Sequence, residues 1–194
     1  RWRGQRLLEI VDDPLAIERG GLEIFPRLQA SQHQTEFSRD VISSDVENLD
    51  LLMGGGLDRG SASLLVGPAG SGKTTLAIKY ALSAMGRAEP VVMYTFDEGL
   101  GTLLARSAGL DLPLQQSMDA GKIQVHQVDP AEMSPGEFAW RVRRSVEDDG
   151  ARMVIIDSLN GYQAAMPVKN SLILHVLKYL NGQGATTSEP LIHI

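Results

Sequence analysis

One segment constrains this chain more than any other. Residues 67–74 read Gly-Pro-Ala-Gly-Ser-Gly-Lys-Thr and match G-x-x-x-x-G-K-[ST] at every fixed position. Residues 63–66 precede it as a predicted strand, and residues 74–85 follow it as a predicted helix. Glycines let the backbone curl so that successive N–H groups face phosphate oxygens, and the helix N-terminus adds the positive end of its dipole. The segment therefore predicts a phosphate-binding loop (P-loop) between a strand and a helix.

The end of this loop carries the reactive side chains. The Lys73 ammonium is placed to reach the β- and γ-phosphates of a nucleoside triphosphate, and the Thr74 hydroxyl is placed to ligate Mg²⁺. The residues expected to contact the nucleotide are Gly67, Pro68, Ala69, Gly70, Ser71, Gly72, Lys73, Thr74 and Thr75. A glycine-rich turn with a surface lysine is the alternative, and the flanking strand and helix disfavour it. ATP and Mg²⁺ are therefore the predicted cofactors.

A second strand, at residues 153–156, is followed directly by Asp157. Ligands bind outside the carboxyl ends of the strands in open parallel sheets, which is where this carboxylate would lie. Its expected role is to hold Mg²⁺ through water. A strand that merely ends in Asp at a turn is the alternative, and the neighbouring P-loop motif weighs against it.

A third strand, at residues 91–96, ends in the acidic pair Asp97 and Glu98. Either carboxylate could position and polarise the water that attacks the nucleotide. If the strand stays regular, the two side chains point to opposite faces and only one can act. We favour Glu98. The alternative is that the pair only charges the first turn of the next helix.

Short apolar runs alternate with helical stretches from residue 61 onward. The further predicted elements are a strand at residues 123–128 and helices at residues 100–108 and 170–180. Helix 74–85 is expected to stop at Gly86, which suits a left-handed cap, and helix 100–108 is expected to stop at Gly109. Repeated strand–helix–strand units predict an α/β fold with a mostly parallel sheet and helices on both faces.

One more predicted helix has a clear start. Ser134, followed by Pro135 and Glu137, forms a capping box with proline at the first helical position. The apolar residues Phe138, Val142 and Val146 follow at helical spacing and are expected to face the core. The helix is expected to end before Gly150.

The chain divides into two parts by pattern. Residues 1–34 are interpreted as an irregular N-terminal segment that resembles an inter-domain linker, with short strands at residues 7–11 and 21–25. Residues 35–194 are expected to form the α/β domain. Residues 184–187 look like the entry to another strand that is then interrupted, so we expect the sheet to be incomplete toward the C-terminal end.

Composition narrows the possible partners. Hydrophobic residues make up 43% and charged residues 22% of the chain, which is typical of a globular protein. No apolar run approaches the roughly 18 residues needed to span a bilayer, so no membrane association is expected. The formal net charge of -6 disfavours a nucleic-acid partner. The absence of Cys fits a cytoplasmic location without disulfides.

Several segments resemble one family. Residues 44–57, before the P-loop, resemble the S/T-G-x-x-x-L-D-x-x-x-G-G-G opening of RecA/RadA/KaiC-type ATPase domains, except that Asp45 stands where Gly is usual. The acidic pair at 97–98 and the ending at 156–159 are similar to KaiC-like members in particular. Residues 21–26 are similar to the link between tandem KaiC domains.

This resemblance implies a RecA-like P-loop NTPase fold and a homo-oligomeric ring, for example a hexamer, with ATP between subunits. It implies that Lys73 and Thr74 contact phosphate and Mg²⁺, that Asp157 is the Walker B acid, and that Glu98 or Asp97 is the catalytic acid. The family's autophosphorylated residues and partner-subunit basic residues are not found in this sequence. Autokinase activity and clock function are therefore not predicted.

Three functional hypotheses follow. The first is an ATP-binding, Mg²⁺-dependent, ATP-hydrolysing KaiC-like domain that acts in an oligomeric assembly. The second is a signalling or assembly scaffold that ATP and ADP switch, with little turnover and a protein partner that the sequence does not identify. The third is a recombinase-type DNA-dependent ATPase, which the net charge and the lack of an Arg- and aromatic-rich loop disfavour.

Overall fold

The computed structural model describes residues 15–18, 21–24, 40–129, 133–158 and 191–193. The strands are β1 (Leu15–Glu18), β2 (Gly21–Ile24), β3 (Val41–Ile42), β4 (Leu57–Asp58), β5 (Ala62–Leu64), β6 (Val91–Thr95), β7 (Ile123–Gln127), β8 (Met153–Asp157) and β9 (Leu191–His193). The helices are α1 (Glu47–Leu52), α2 (Lys73–Gly86), α3 (Leu100–Gly109), α4 (Leu114–Asp119) and α5 (Pro135–Glu147). Within these ranges, no helix is long and apolar enough to cross a membrane.

The central sheet has the strand order β5-β9-β8-β6-β7, and every neighbouring pair is parallel. This confirms the predicted α/β class with a parallel sheet. Strand β9 was not predicted; it pairs with β5 on one side and with β8 on the other, so the sheet is continuous from β5 to β7. The strand entry predicted at residues 184–187 and the helix predicted at 170–180 lie outside the described residues.

Both faces of the sheet are covered, because strands β6 and β8 are buried at every position. Val92, Tyr94 and Ile156 pack on one face against helix α5, whose predicted stripe of Phe138, Val142 and Val146 is buried there. Met93 and Ile155 pack on the other face against α2. Fully burying a large apolar side chain contributes about 1.5–3 kcal/mol, so these two layers hold the strand ends in place.

The predicted start of helix α5 is confirmed, whereas the predicted ends of α2 and α3 differ from those observed. The Ser134 side chain accepts a hydrogen bond from the Glu137 N–H, which confirms the predicted cap of α5. The prediction that Gly86 is a left-handed cap was wrong, because α2 includes Gly86. Helix α3 likewise includes Gly109, the residue at which it was expected to stop. The left-handed residues come two positions later, at Ala88 and Asp111, where the chain closes each helix end with backbone hydrogen bonds.

The N-terminal predictions were partly right. Strand β2 confirms the prediction at residues 21–25, while residues 7–11 lie outside the described residues. The partner of β2 is β1, which the sequence interpretation missed and which pairs antiparallel with it. The short helices α1 and α4 were also not predicted. The boundary between a linker at 1–34 and a domain at 35–194 stays a prediction.

Candidate functional site: a P-loop and three acidic residues

The P-loop lies between the parallel sheet and helix α2. Strand β5 ends at Leu64, earlier than predicted, and an exposed loop leads to α2, which begins at Lys73. Gly72 precedes the helix with φ +86°, a left-handed conformation that only glycine adopts readily. The helix therefore starts with its free N–H groups beside the loop, which is the arrangement that binds phosphate.

Lys73 extends back over this loop. Its Nζ donates hydrogen bonds to the carbonyl oxygens of Gly67 and Pro68, each at 3.0 Å. The ammonium is thus fixed above the backbone that the motif predicts to surround a phosphate chain. A β- or γ-phosphate oxygen would be a stronger acceptor than either carbonyl, because both partners would then be charged.

Thr74, the next residue, links the P-loop to strand β8. Thr74 Oγ1 donates a 2.8 Å hydrogen bond to Oδ2 of Asp157, the last residue of β8. The two residues are 83 positions apart in sequence, and the motif interpretation assigned both of them to Mg²⁺. The fold therefore brings together the hydroxyl and the carboxylate that the sequence predicts as metal ligands.

Asp157 lies in an unfavourable place for a charge, since only 9% of its surface is exposed. Burial raises the pKa of its carboxyl above the ordinary value of 3.8. The Thr74 hydrogen bond and the positive charges of Arg106 and Lys73 act in the opposite direction, while the negative charge of Asp97 adds to the increase. A buried carboxylate held in this way by its surroundings is characteristic of a functional site.

The residues present fit a bound magnesium ion. Mg²⁺ prefers oxygen ligands and keeps several waters, and the Thr74 hydroxyl and Asp157 carboxylate are both oxygen donors at the loop. Thr95, the last residue of β6, lies directly across the strand pair from Asp157. Within the described parts of the chain its hydroxyl is buried without a hydrogen-bond partner, so a further polar group is available beside these donors.

The acidic pair lies at the same edge of the sheet. Strand β6 ends at Thr95, before the predicted Phe96, and residues 96–98 form a bend. The expectation that a regular strand would point Asp97 and Glu98 to opposite faces therefore does not apply. Phe96 still holds the bend next to β8, because its N–H donates to the Asp157 carbonyl at 2.8 Å.

The two acids have different partners. The Ser158 hydroxyl, directly after β8, donates a hydrogen bond to Asp97 Oδ2. Glu98 instead forms an ion pair with Arg106 of helix α3, with 2.6 Å between Nη2 and Oε2. Asp97 is thus tied to the strand that carries Asp157, and Glu98 is tied to a helix. Which of them acts on water stays a prediction, in which we favour Glu98.

Sequence reasoning missed three residues of this site: Thr95, Arg106 and Ser158. Ser158 directly follows Asp157, and Thr95 lies two positions before Asp97, so reading one or two positions beyond the predicted acids would have found them. Arg106 gives no comparable signal, because it lies eight positions after Glu98 and its contact depends on where α3 packs.

The segment before the P-loop is held by hydrogen bonds to the Asp50 carboxylate. Asp50 accepts hydrogen bonds from the Ser43 hydroxyl at 2.6 Å and from the Ser44 hydroxyl and N–H, each at 2.8 Å. Asp45 has φ +58°, in the left-handed region. This explains why Gly is usual at that position in the resembled motif, and Asp is one of the few other residues that tolerate it.

Comparison with known proteins agrees with this geometry. A family model for the KaiC ATPase matches residues 42–188, which is most of the chain. The circadian clock oscillator protein KaiC of Picosynechococcus sp. is 26% identical over 147 residues, and that of Synechococcus elongatus is 28% identical over 149 residues. Each alignment covers 76% of this chain and 28% of the relative.

The circadian clock protein KaiC2 of Synechocystis sp. is 24% identical over 176 residues, which are 89% of this chain and 31% of that protein. The chain thus spans less than a third of the length of these curated relatives. The matched region contains the P-loop, the acidic pair and Asp157, the residues that form the site described above. This chain belongs to the KaiC family of ATPases.

Proposed function

We propose that this chain binds ATP with Mg²⁺ at residues 67–75 and hydrolyses it within an oligomeric assembly. The observation that carries the proposal is the 2.8 Å hydrogen bond between Thr74 and Asp157, because it joins the P-loop to the strand-end acid. Family membership supports ATP as the nucleotide. The clock functions named for the relatives are not carried over, since the chain matches only a part of each of them.

In this proposal, different groups of the chain bind the phosphates and the metal ion. The backbone N–H groups at the start of α2 bind phosphate oxygens, and Lys73 exchanges its carbonyl partners for the β- and γ-phosphates. Thr74 and Asp157 are the residues that would hold the metal. When bound, Mg²⁺ neutralises negative charge on the phosphate oxygens.

Hydrolysis needs a base near the γ-phosphate. In the proposed step a water oxygen forms a bond to the γ-phosphorus as the bond to the bridging oxygen of ADP breaks, and Glu98 accepts the proton that the water loses. Arg106 would fix the Glu98 carboxylate at the edge of the site through their ion pair. Asp97 is the alternative base, held by Ser158.

Phosphate release from ATP tests this function. We expect the wild type to release phosphate and Lys73→Ala to lose most of this activity, because the phosphate chain loses its charged partner. Lys79→Ala is the matched control, since Lys79 lies on the same helix, further from the loop. Equal rates in the wild type and Lys73→Ala would refute the proposal, and a loss in Lys79→Ala as large as in Lys73→Ala would remove its basis.

A second function is favoured by one observation: both candidate bases are engaged by groups of this chain, Asp97 by Ser158 and Glu98 by Arg106. A site whose bases are held in this way could bind ATP and turn it over little. The chain would then be a scaffold whose assembly ATP and ADP switch. Light scattering in ATP and in ADP separates the two functions: a nucleotide-dependent size with negligible phosphate release supports the scaffold, and a size independent of nucleotide contradicts it.

A further inference from the structure

Thr95 is a buried polar residue that none of the motifs includes. Only 1% of its surface is exposed, and within the described residues its Oγ1 has no hydrogen-bond partner. Its backbone lies within the sheet, where Thr95 pairs with Gln127 and Asp157 and its carbonyl accepts from the Val128 N–H at 2.8 Å. Buried hydroxyl groups are almost always hydrogen-bonded, so an exception calls for an explanation.

The position of Thr95 gives that explanation. Side chains alternate along a strand, and on β6 the residues of the same parity, Val91 and Met93, pack on the face that α2 covers. Thr95 therefore faces the same side. On β8, Asp157 faces this side too, because it contacts Thr74 at the start of α2. The Thr95 hydroxyl is thus a cross-strand neighbour of the Asp157 carboxylate, at the carboxyl ends of the strands.

We propose that the Thr95 hydroxyl positions a water molecule that belongs to the magnesium–nucleotide complex. This inference rests on the proposed function, and it adds a residue to the site. Mg²⁺ usually keeps several of its waters. A metal-bound water donates hydrogen bonds, and the oxygen of a threonine hydroxyl can accept one. Asp157 supplies one acceptor, and Thr95, its cross-strand neighbour, supplies a hydroxyl without a hydrogen-bond partner among the described residues. Thr95 is a positioning residue, because it acts on the complex through water.

The alternative is that Thr95 is present only as a β-branched strand residue, for which Val would be equivalent. The two explanations differ for Thr95→Val, which keeps the shape and removes the hydroxyl. Thr95→Ser is the matched variant, because it keeps the hydroxyl and loses a methyl group. If the hydroxyl serves only the bound complex, Thr95→Val should melt at the same temperature as the wild type or higher without nucleotide, since it removes a buried hydroxyl that no described residue pairs.

Binding is measured by calorimetry with a non-hydrolysable ATP analogue, in Mg²⁺ and in EDTA. We expect Mg²⁺ to strengthen binding to the wild type and Thr95→Ser. In Thr95→Val this gain should be smaller by about threefold to tenfold, the range of one hydrogen bond. In EDTA, the three proteins should bind the analogue equally.

Two results would overturn the inference while leaving the proposed function intact. One is a Thr95→Val variant with the same Mg²⁺-dependent gain as the wild type. The other is a Thr95→Val variant that melts well below both the wild type and Thr95→Ser without nucleotide, which would make the hydroxyl structural. A wild type that does not bind the analogue, or binds it independently of Mg²⁺, would instead overturn the proposed function together with this inference.

Discussion

Replacing Thr74 by Val tests the contact that joins the P-loop to strand β8. The change removes the hydroxyl that donates to Asp157 and keeps the β-branched shape in the first turn of α2. A hydrogen bond to a charged group contributes about 1.5–3 kcal/mol to stability, against about 0.5–1.5 kcal/mol for a neutral pair. Asp157 is only 9% exposed, so solvent screens this bond little. We therefore expect Thr74→Val to lower the free energy of unfolding of the nucleotide-free protein by about 1.5–3 kcal/mol at pH 8.

The same substitution in an Asp157→Asn background isolates the charge. The hydroxyl then donates to a neutral amide oxygen, so the cost of Thr74→Val should fall to about 0.5–1.5 kcal/mol. The coupling energy of this double-mutant cycle is the difference between the two costs, which is about 1 kcal/mol between the centres of the two ranges. Urea unfolding followed by far-ultraviolet circular dichroism measures all four proteins.

Thr75→Val is the control for this cycle. Thr75 is the next residue of α2 and is partly exposed, so its replacement should change stability by no more than about 0.5 kcal/mol. A coupling energy near zero, or an equal loss in Thr75→Val and Thr74→Val, would refute the reasoning. In either case the hydroxyl would not act through the charged Asp157 carboxylate.

Three further predictions concern stability. Burial raises the pKa of the Asp157 carboxyl, so the folded state favours its neutral form. This preference stabilises the protein fully at pH values below the ordinary pKa of Asp. The stabilisation is lost as the pH rises through the raised pKa of the folded state. Asp157→Asn should accordingly raise the melting temperature without nucleotide at pH 8, and a gain that persists unchanged at pH 4 would contradict this. A Cβ on Gly56 (φ +143°) would lie 2.1 Å from the Ile42 carbonyl oxygen, so Gly56→Ala should cost about 3 kcal/mol or more in urea unfolding. Gly54→Ala, where the Cβ meets no atom, should cost about 1–2 kcal/mol. Equal costs would show that the overlap at Gly56 is relieved. Ser134→Ala should cost about 1 kcal/mol through loss of the α5 cap, with Ser134→Thr close to wild type, and an unchanged unfolding midpoint in the alanine variant would argue against the cap.

The parts of the fold that could be predicted are those in which the signal is local. The strands β6 and β8 are continuous apolar runs because both of their faces are buried, and helix α5 has a capping box and a regular stripe. Strand β9 could not be predicted, because three residues carry no periodicity and its place depends on two neighbours distant in sequence. Helix α4 has six residues, which is too short for a helical pattern to stand out.

The candidate site also contains residues that local sequence patterns indicate and contacts that depend on how the chain packs. Lys73, Thr74 and Asp157 could be proposed as site residues because phosphate and metal binding require particular residue types at fixed positions after a strand. The ion pair of Glu98 with Arg106 could not be predicted, since it depends on the orientation of α3 over the sheet edge. The opposite orientation of Asp97 and Glu98 was expected only if the strand stayed regular, and that condition is not met because β6 ends at Thr95.

The central claim is that the P-loop binds ATP and that an acid after β6 activates the water. Measuring ATP affinity and single-turnover hydrolysis on the same preparations tests it most directly, with the wild type, Lys73→Ala, Glu98→Gln and Asp97→Asn. We predict that Lys73→Ala binds ATP about 10- to 100-fold more weakly. Glu98→Gln should keep its affinity while hydrolysing about 100-fold more slowly or worse, and Asp97→Asn should be affected less. Wild-type affinity and hydrolysis in both Lys73→Ala and Glu98→Gln would contradict the account.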